Sequence, residues 1–192
     1  RILIFFFFHL SNFIWYIKFI NKIKPIKVKI LGYIPARIGS KGIRRKNLAK
    51  LNGKPLIYYT VKFAKKLGKR IYPFVSTDSK KILSYTNSLL KVQNNYLRPK
   101  KLATDKSKHA EGLLHALKWI KDKKNLNFDA VMLLQPTSPI REYKETIRAI
   151  NLFKKNRVNS ILGVRELKEH PSEMIKKKNL NWNFIAKHNF KL

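Results

Sequence analysis

The chain has 192 residues, enough for one domain and a little more, with 43 Lys and Arg against 10 Asp and Glu and a formal net charge of +33. Hydrophobic residues at 44% and aromatic residues at 12% suffice for a packed core, which excludes a disordered basic tail as the whole molecule. Cysteine is absent, so disulfides, zinc-thiolate centres and cysteine nucleophiles are excluded together. The expected compartment is a reducing one, the cytoplasm.

The charge is less informative than its size suggests. Of the 43 basic residues 33 are Lys, and Lys, Ile, Asn, Phe and Tyr together make 90 of the 192 residues. All five have AT-rich codons, so base composition supplies much of the lysine, whereas dedicated nucleic-acid readers lean on the planar, bidentate Arg. A nucleic-acid partner is therefore not expected. One asymmetry survives: residues 1–77 carry 18 Lys and Arg and no acid, the first carboxylate being Asp78. An anion is expected to dock on that half.

Residues 1–26 read as an apolar and basic leader. The uncharged run Ile2 to Ile17 is shorter than the about 20 residues a membrane span needs, and no small-residue cleavage site follows it. The readings are a weak membrane anchor through residues 1–24 or a non-native leader. Either way it is expected to add nothing to the fold, with the first strand beginning after Pro25.

From Lys27 onward strands and helices alternate. Lys27 to Ile34 reads as a strand and Pro35 to Asn47 as a basic, glycine-containing loop. A helix follows Pro55 and stops at Gly68. Ile71 to Val75 is a strand, and Ser76 to Ser79 supplies caps for a helix through Leu90, with Asp78 assigned mainly to capping. Gly112 to Ile120 is an amphipathic helix, Ala130 to Leu134 a buried strand, Tyr143 to Phe153 a helix and Ser160 to Val164 a strand. The order implies an α/β fold, a mostly parallel sheet covered by helices on both faces, with ligands at the C-terminal strand ends. Residues 176–192 form a Lys- and Asn-rich tail.

The loop Pro35-Ala36-Arg37-Ile38-Gly39-Ser40-Lys41-Gly42-Ile43-Arg44-Arg45-Lys46-Asn47 carries the strongest chemical signal. It matches neither a Walker A loop nor a GxGxxG fingerprint. Two glycines allow backbone N–H groups near a phosphate, and Arg37, Lys41 and Lys46 can converge on one anion, as a nucleoside triphosphate requires.

This loop resembles the opening of the acylneuraminate (CMP-sialic acid) cytidylyltransferases and their relatives that activate other nonulosonic acids. Further segments resemble the family in its own order: Leu51-Asn52-Gly53-Lys54-Pro55-Leu56, Val75-Ser76-Thr77-Asp78, Leu97-Arg98-Pro99, Leu102-Ala103-Thr104-Asp105, Leu114-His115-Ala116-Leu117, Leu133-Leu134-Gln135-Pro136-Thr137-Ser138-Pro139-Ile140-Arg141 and Glu169-His170-Pro171. The likeness runs from about Val28 to Met174, and residues 27–175 are read as the N-terminal part of such a domain. It implies a Rossmann-like nucleotidyltransferase fold of the nucleotide-diphospho-sugar transferase type.

The reaction implied is attack of an acidic nine-carbon sugar on the α-phosphate of CTP, with Mg²⁺, releasing pyrophosphate. The resemblance makes Arg37, Ser40 and Lys46 phosphate ligands, Arg37 and Lys46 catalytic, and Lys41 a source of positive potential. It directs Asn47, Arg98 and Ser107 to the cytidine and Gln135 and His170 to the sugar. His115, within an apolar helical stripe, reads as a packed histidine. The family's metal-binding Asp-x-Asp is absent from this sequence, and Asp78 is a weak substitute. The chain is read as a truncated or frame-disrupted member expected to bind CTP without turning it over, and the complete domain as a homodimer. The alternatives are a cytidylyltransferase for an eight-carbon acidic sugar (3-deoxy-manno-octulosonate), a basic module for anionic surfaces or nucleic acid, and a membrane-anchored or non-functional fragment.

Overall fold

Near-continuous burial along three short strands, Ile30–Pro35, Tyr72–Ser76 and Ala130–Leu133, builds the centre of the molecule. The computed structural model describes residues 3–6, 28–40, 42–156, 158–164, 175–178 and 181–184. Lys41, His170 and nearly all of the leader lie outside the described residues. Strand β1 covers Leu3–Phe6, β2 Ile30–Pro35, β3 Lys50–Leu51, β4 Lys54–Pro55, β5 Tyr72–Ser76, β6 Ala130–Leu133, β7 Ile175–Lys178 and β8 Asn181–Phe184. The helices are α1 Leu56–Leu67, α2 Lys80–Leu90, α3 His109–Lys124 and α4 Tyr143–Asn156.

The main sheet is four-stranded, in the order β1-β6-β2-β5, and all its pairings are parallel. In β2, Ile30 and Ile34 enter a core with Ile57, Val61 and Ala64 of α1, Ile82 of α2 and Ile150 and Phe153 of α4. The intervening Leu31 and Tyr33 enter a second core with Leu113, Ala116 and Ile120 of α3. Successive side chains of a strand point to opposite faces, so one strand feeds both cores and helices cover the sheet on both sides. The chain runs from β2 to β5 on one side of β2 and then crosses to β6 on the other. That reversal opens a crevice beyond the carboxyl end of β2.

The elements expected from sequence are largely present, with instructive shifts. Helix α1 ends at Gly68, whose φ of 57° and ψ of −136° lie outside what an L side chain tolerates. Gly68→Ala is expected to lower stability by about 1 to 3 kcal/mol, read as a fall in the thermal midpoint; an unchanged midpoint would contradict the conformation seen. Asn52 and Gly53 both have positive φ and turn β3 into β4, the signature of a tight two-residue hairpin. Helix α3 begins and ends beyond the expected Gly112 to Ile120 because His109 to Glu111 and Lys121 to Lys124 continue it as solvent-facing turns.

Three expectations are corrected. The cap of α2 is Ser79, whose hydroxyl accepts from the N–H of Ile82 at 3.3 Å. Asp78 instead accepts from the N–H of Ile38 at 2.8 Å, because it sits at the strand end facing the basic loop, not on the first turn of the helix. Ser160 to Val164 forms no strand; it holds a single bridge residue, Leu162, while Ile161 inserts into the core beside α4. The first strand precedes Pro25: Leu3–Phe6 pairs with Ala130–Leu133. An apolar segment in extended form satisfies the open hydrogen-bonding edge of a buried strand, which the composition of the leader does not reveal. Strands β7 and β8 form an antiparallel hairpin that extends into the segment read as a tail. Among the described residues no helix is long and apolar enough to cross a membrane.

Candidate active site

The carboxyl ends of β2, β5 and β6 lie side by side because the strands are parallel, and the loops leaving β2 and β6 frame a cleft of about 340 Å³. Its lining includes Arg37, Ser40, Lys46, Asn47, Arg98 and Gln135, six of the residues singled out from sequence. They come from segments separated by up to about a hundred residues.

The basic loop after β2 is tied down at three points. The N–H of Ala36 donates to the carbonyl of Ser76 at 2.9 Å, the N–H of Ile38 donates to Asp78, and the Asn47 amide donates to the carbonyl of Arg37 at 2.8 Å. Asn47 is buried in a short 3-10 turn, so it shapes the loop as well as lining the cleft. The expected dependence on glycine takes a different form: neither Gly39 nor Gly42 has a left-handed backbone, and a side chain at either would meet nothing within 4 Å. Among the described residues of the loop the left-handed one is Arg45, at φ 52°.

Arg37 reaches across to the 101–107 turn, where its guanidinium pairs with Asp105 at 2.5 Å and donates to the carbonyl of Ala103 at 3.4 Å. Ser107 does not line the cleft; its hydroxyl donates to the carbonyl of Lys101 at 2.9 Å and accepts from the N–H of Thr104 at 3.1 Å, closing that turn. Lys46 faces the cleft from the 3-10 turn.

Arg98 is 8% exposed and forms part of the cleft wall. Its Nε donates to the Ser76 hydroxyl at 2.9 Å and its Nη2 to the Ser76 carbonyl at 2.7 Å, with the Tyr33 hydroxyl at 3.4 Å. Burial pushes the Tyr33 and Tyr96 phenols up, against the opposing pull of the nearby Arg98 cation, so both are neutral. His115 packs against Tyr96, their Nδ1 and hydroxyl 3.0 Å apart, as expected of a packed histidine.

Gln135 follows β6, and its carbonyl accepts from Nη2 of Arg141. Arg141 also donates to the Thr60 hydroxyl at 3.1 Å and lies over the Phe63 ring, which anchors the 135–141 loop to α1. Burial lowers the Arg141 pKa to about 10, and its Nε is buried without a hydrogen-bond partner. Sequence reasoning missed His109, Pro136 and Thr137 as cleft residues and Tyr33 and Ser76 beneath it. Pro136 and Thr137 were visible within the Gln-Pro-Thr-Ser-Pro run, whereas nothing local marks Tyr33.

Among the described residues no group of three or more His, Asp or Glu side chains could hold a metal ion. Two carboxylates that touch the loop are already engaged by it, Asp78 by the N–H of Ile38 and Asp105 by Arg37. These residues do not fit a protein-built Mg²⁺ site.

Residues 31–180 match the cytidylyltransferase family model. The chain is 38% identical over 128 residues to an N-acylneuraminate cytidylyltransferase of Escherichia coli, covering 67% of this chain and 29% of that protein. It is also 38% identical over 149 residues to a CMP-N,N'-diacetyllegionaminic acid synthase of Legionella pneumophila, covering 76% and 61% respectively. A pseudaminic acid cytidylyltransferase of Campylobacter jejuni is 30% identical over 146 residues, covering 75% and 61%. The chain thus spans less than two thirds of the length of each. The solved structure of a CMP:2-keto-3-deoxy-manno-octonic acid synthetase complexed with CTP superposes with a TM-score of 0.51 at 18% identity, over 65% of this chain and 47% of that one, a likeness of fold. A glycine-bearing cationic loop at the switch point of a parallel sheet, a Gln-Pro-Thr-Ser-Pro loop opposite it and a model match over most of the chain lead to one assignment: this chain belongs to the cytidylyltransferase family.

Proposed function

We propose that this chain carries the nucleotide site of a cytidylyltransferase that activates sialic acid or a related nine-carbon acidic sugar by transfer of CMP from CTP. The supporting observation is the convergence of Arg37, Ser40, Lys46, Asn47, Arg98 and Gln135 on one cleft at the C-terminal strand ends. In the reaction the anomeric hydroxyl of the sugar gives up its proton to water as its oxygen forms a bond to the α-phosphorus. The bond from that phosphorus to the bridging oxygen breaks, and pyrophosphate leaves with the electron pair. Such transfers depend mainly on positioning and on stabilising charge on the leaving group.

In this reading Arg37 and Lys46 are the catalytic cations: they hold the β- and γ-phosphates and stabilise the departing pyrophosphate. Ser40 adds a hydroxyl contact and Lys41 positive potential. Asn47 and Arg98 meet the cytidine, and Ser107 acts by shaping the turn against which Arg37 rests. Gln135 and His170 are assigned to the acceptor sugar. Mg²⁺ belongs to the proposed reaction, with no ligand set for it among the described residues. Dimerisation of the complete protein and a cytoplasmic location, where CTP is available, belong to the same proposal. The relatives named for acylneuraminate, legionaminic and pseudaminic acids favour a nine-carbon acceptor over the eight-carbon one, which is represented by a likeness of fold at 18% identity.

Calorimetric titration with CTP, UTP, ATP and GTP tests the reading. Saturable binding with CTP preferred is the expected result, and pyrophosphate release with a nonulosonic acid and Mg²⁺ extends the test to turnover. Equal, salt-labile binding of all four nucleotides would reduce the cleft to a generic anion site and refute the proposal.

A further inference from the structure

The Arg98 guanidinium is enclosed, charged and held by neutral groups alone. Among the described residues no carboxylate pairs with it, and its partners are the Ser76 hydroxyl, the Ser76 carbonyl and the Tyr33 hydroxyl. Its own backbone N–H is fixed to the carbonyl of Thr77 at 2.8 Å, so the residue is anchored at both ends. The guanidinium is a rigid planar fork. With Nε and Nη2 engaged on the Ser76 side, Nη1 takes part in none of these bonds, and the residue lines the cleft. A buried cation without a counter-ion is costly unless an acceptor completes its hydrogen bonds.

The surroundings are fitted to this side chain. Ser76 and Tyr33 are 0% and 1% exposed, so neither hydroxyl is positioned for solvent. Gly112 sits in the second turn of α3 facing them. A Cβ there would lie 3.3 Å from the Tyr33 hydroxyl and 3.6 Å from both Cζ and Nε of Arg98. Glycine is disfavoured inside a helix, and here its missing side chain leaves room for the guanidinium.

We propose that Ser76 and Tyr33 are positioning residues that orient the Arg98 guanidinium toward the nucleobase, in a space that Gly112 keeps open. The proposal rests on the reading above that Arg98 meets the cytidine. Ser76 supplies two acceptors, its hydroxyl for Nε and its carbonyl for Nη2, and the Tyr33 hydroxyl is a second, longer acceptor for Nη2. Misdirecting Arg98 therefore weakens recognition of the base-bearing ligand and leaves the phosphate ligands untouched.

The test compares CTP with inorganic tripolyphosphate, which carries the phosphates without the base, by calorimetry on the full 192-residue chain. Arg98→Ala is expected to weaken CTP binding about tenfold and to leave tripolyphosphate unchanged. Ser76→Ala, which removes the hydroxyl acceptor and keeps the carbonyl, should reproduce part of that loss and Tyr33→Phe a further part, with Ser76→Thr, which keeps the hydroxyl, restoring affinity. Gly112→Ala should share the CTP-selective pattern without a lower melting temperature. If Arg98→Ala weakens both ligands alike, Arg98 is a phosphate ligand and the base reading fails with the proposal built on it. If Arg98→Ala is selective for CTP but Ser76→Ala and Tyr33→Phe bind CTP as the parent does, the base reading stands and the positioning role is overturned. Should Ser76→Ala unfold the chain, Tyr33→Phe decides alone: parent-like CTP affinity rejects the proposal.

Discussion

Lys46→Ala is expected to weaken CTP binding by about 1.5 to 3 kcal/mol, roughly 10- to 150-fold, through loss of one charge-assisted contact to phosphate. Lys46 projects from the 3-10 turn that closes the basic loop, and the loop itself is fastened by Asp78 and Asn47, so its removal should not disturb the surrounding backbone. The loss should be large for CTP, smaller for CMP and absent for cytidine. Calorimetry with the three ligands decides the matter. An equal loss with all three would mean that Lys46 supports the shape of the cleft and does not bind the triphosphate.

The second large effect is a separation of stability from loop order at Arg141. Burial lowers its pKa to about 10, so the charged guanidinium opposes folding by an amount on the order of a few kcal/mol. Its bonds to Thr60 and to the Gln135 carbonyl offset much of that. Arg141→Met removes both the charge and the bonds while filling similar space, so the melting temperature should stay level or rise. Arg141→Ala also opens a void beside Phe63 and should cost about 2 kcal/mol or more. In both variants the amides of residues 135–141 should exchange faster, because among the described residues the Arg141–Thr60 bond is the hydrogen bond that fastens that loop to α1. The pH dependence has a definite sign. A base with a depressed folded-state pKa opposes folding fully below about pH 10, and that opposition fades as pH rises above it toward the group's ordinary, higher value. The advantage of the Met variant should be greatest at neutral pH and narrow above pH 10. A Met variant that melts far below the parent at neutral pH would show that the clamp outweighs the desolvation cost.

Much of this architecture is legible in the chain itself. Pro55 and Gly68 bracket α1, the apolar run from Ala130 marks a buried strand, and their alternation with helices implies a parallel sheet, because these signals are local. The same holds for the cationic loop and for Gln135, whose placement at strand ends follows once the strands are assigned. Asp78 is the counterexample. Ser, Thr and Asp in one tetrad all cap helices, and only the approach of the 37–47 loop from another strand determines that Ser79 caps while Asp78 accepts from Ile38.

The class of fold, the family and the identity of the cations and amides of the cleft are legible in the chain, since each is signalled by a short local motif even where the motifs lie far apart. Tertiary structure alone decided what those residues rest on. Arg37 leans on Asp105, 68 positions away, and Arg98 is seated against Tyr33, 65 positions away, with Gly112 opening the space. It also decided that Leu3–Phe6 pairs with β6 while Ser160 to Val164 makes no strand. The physical reason is the same in each case: a hydrogen-bond donor, an open strand edge or a gap of one methyl group acquires its meaning from whichever distant group the packed sheet brings against it.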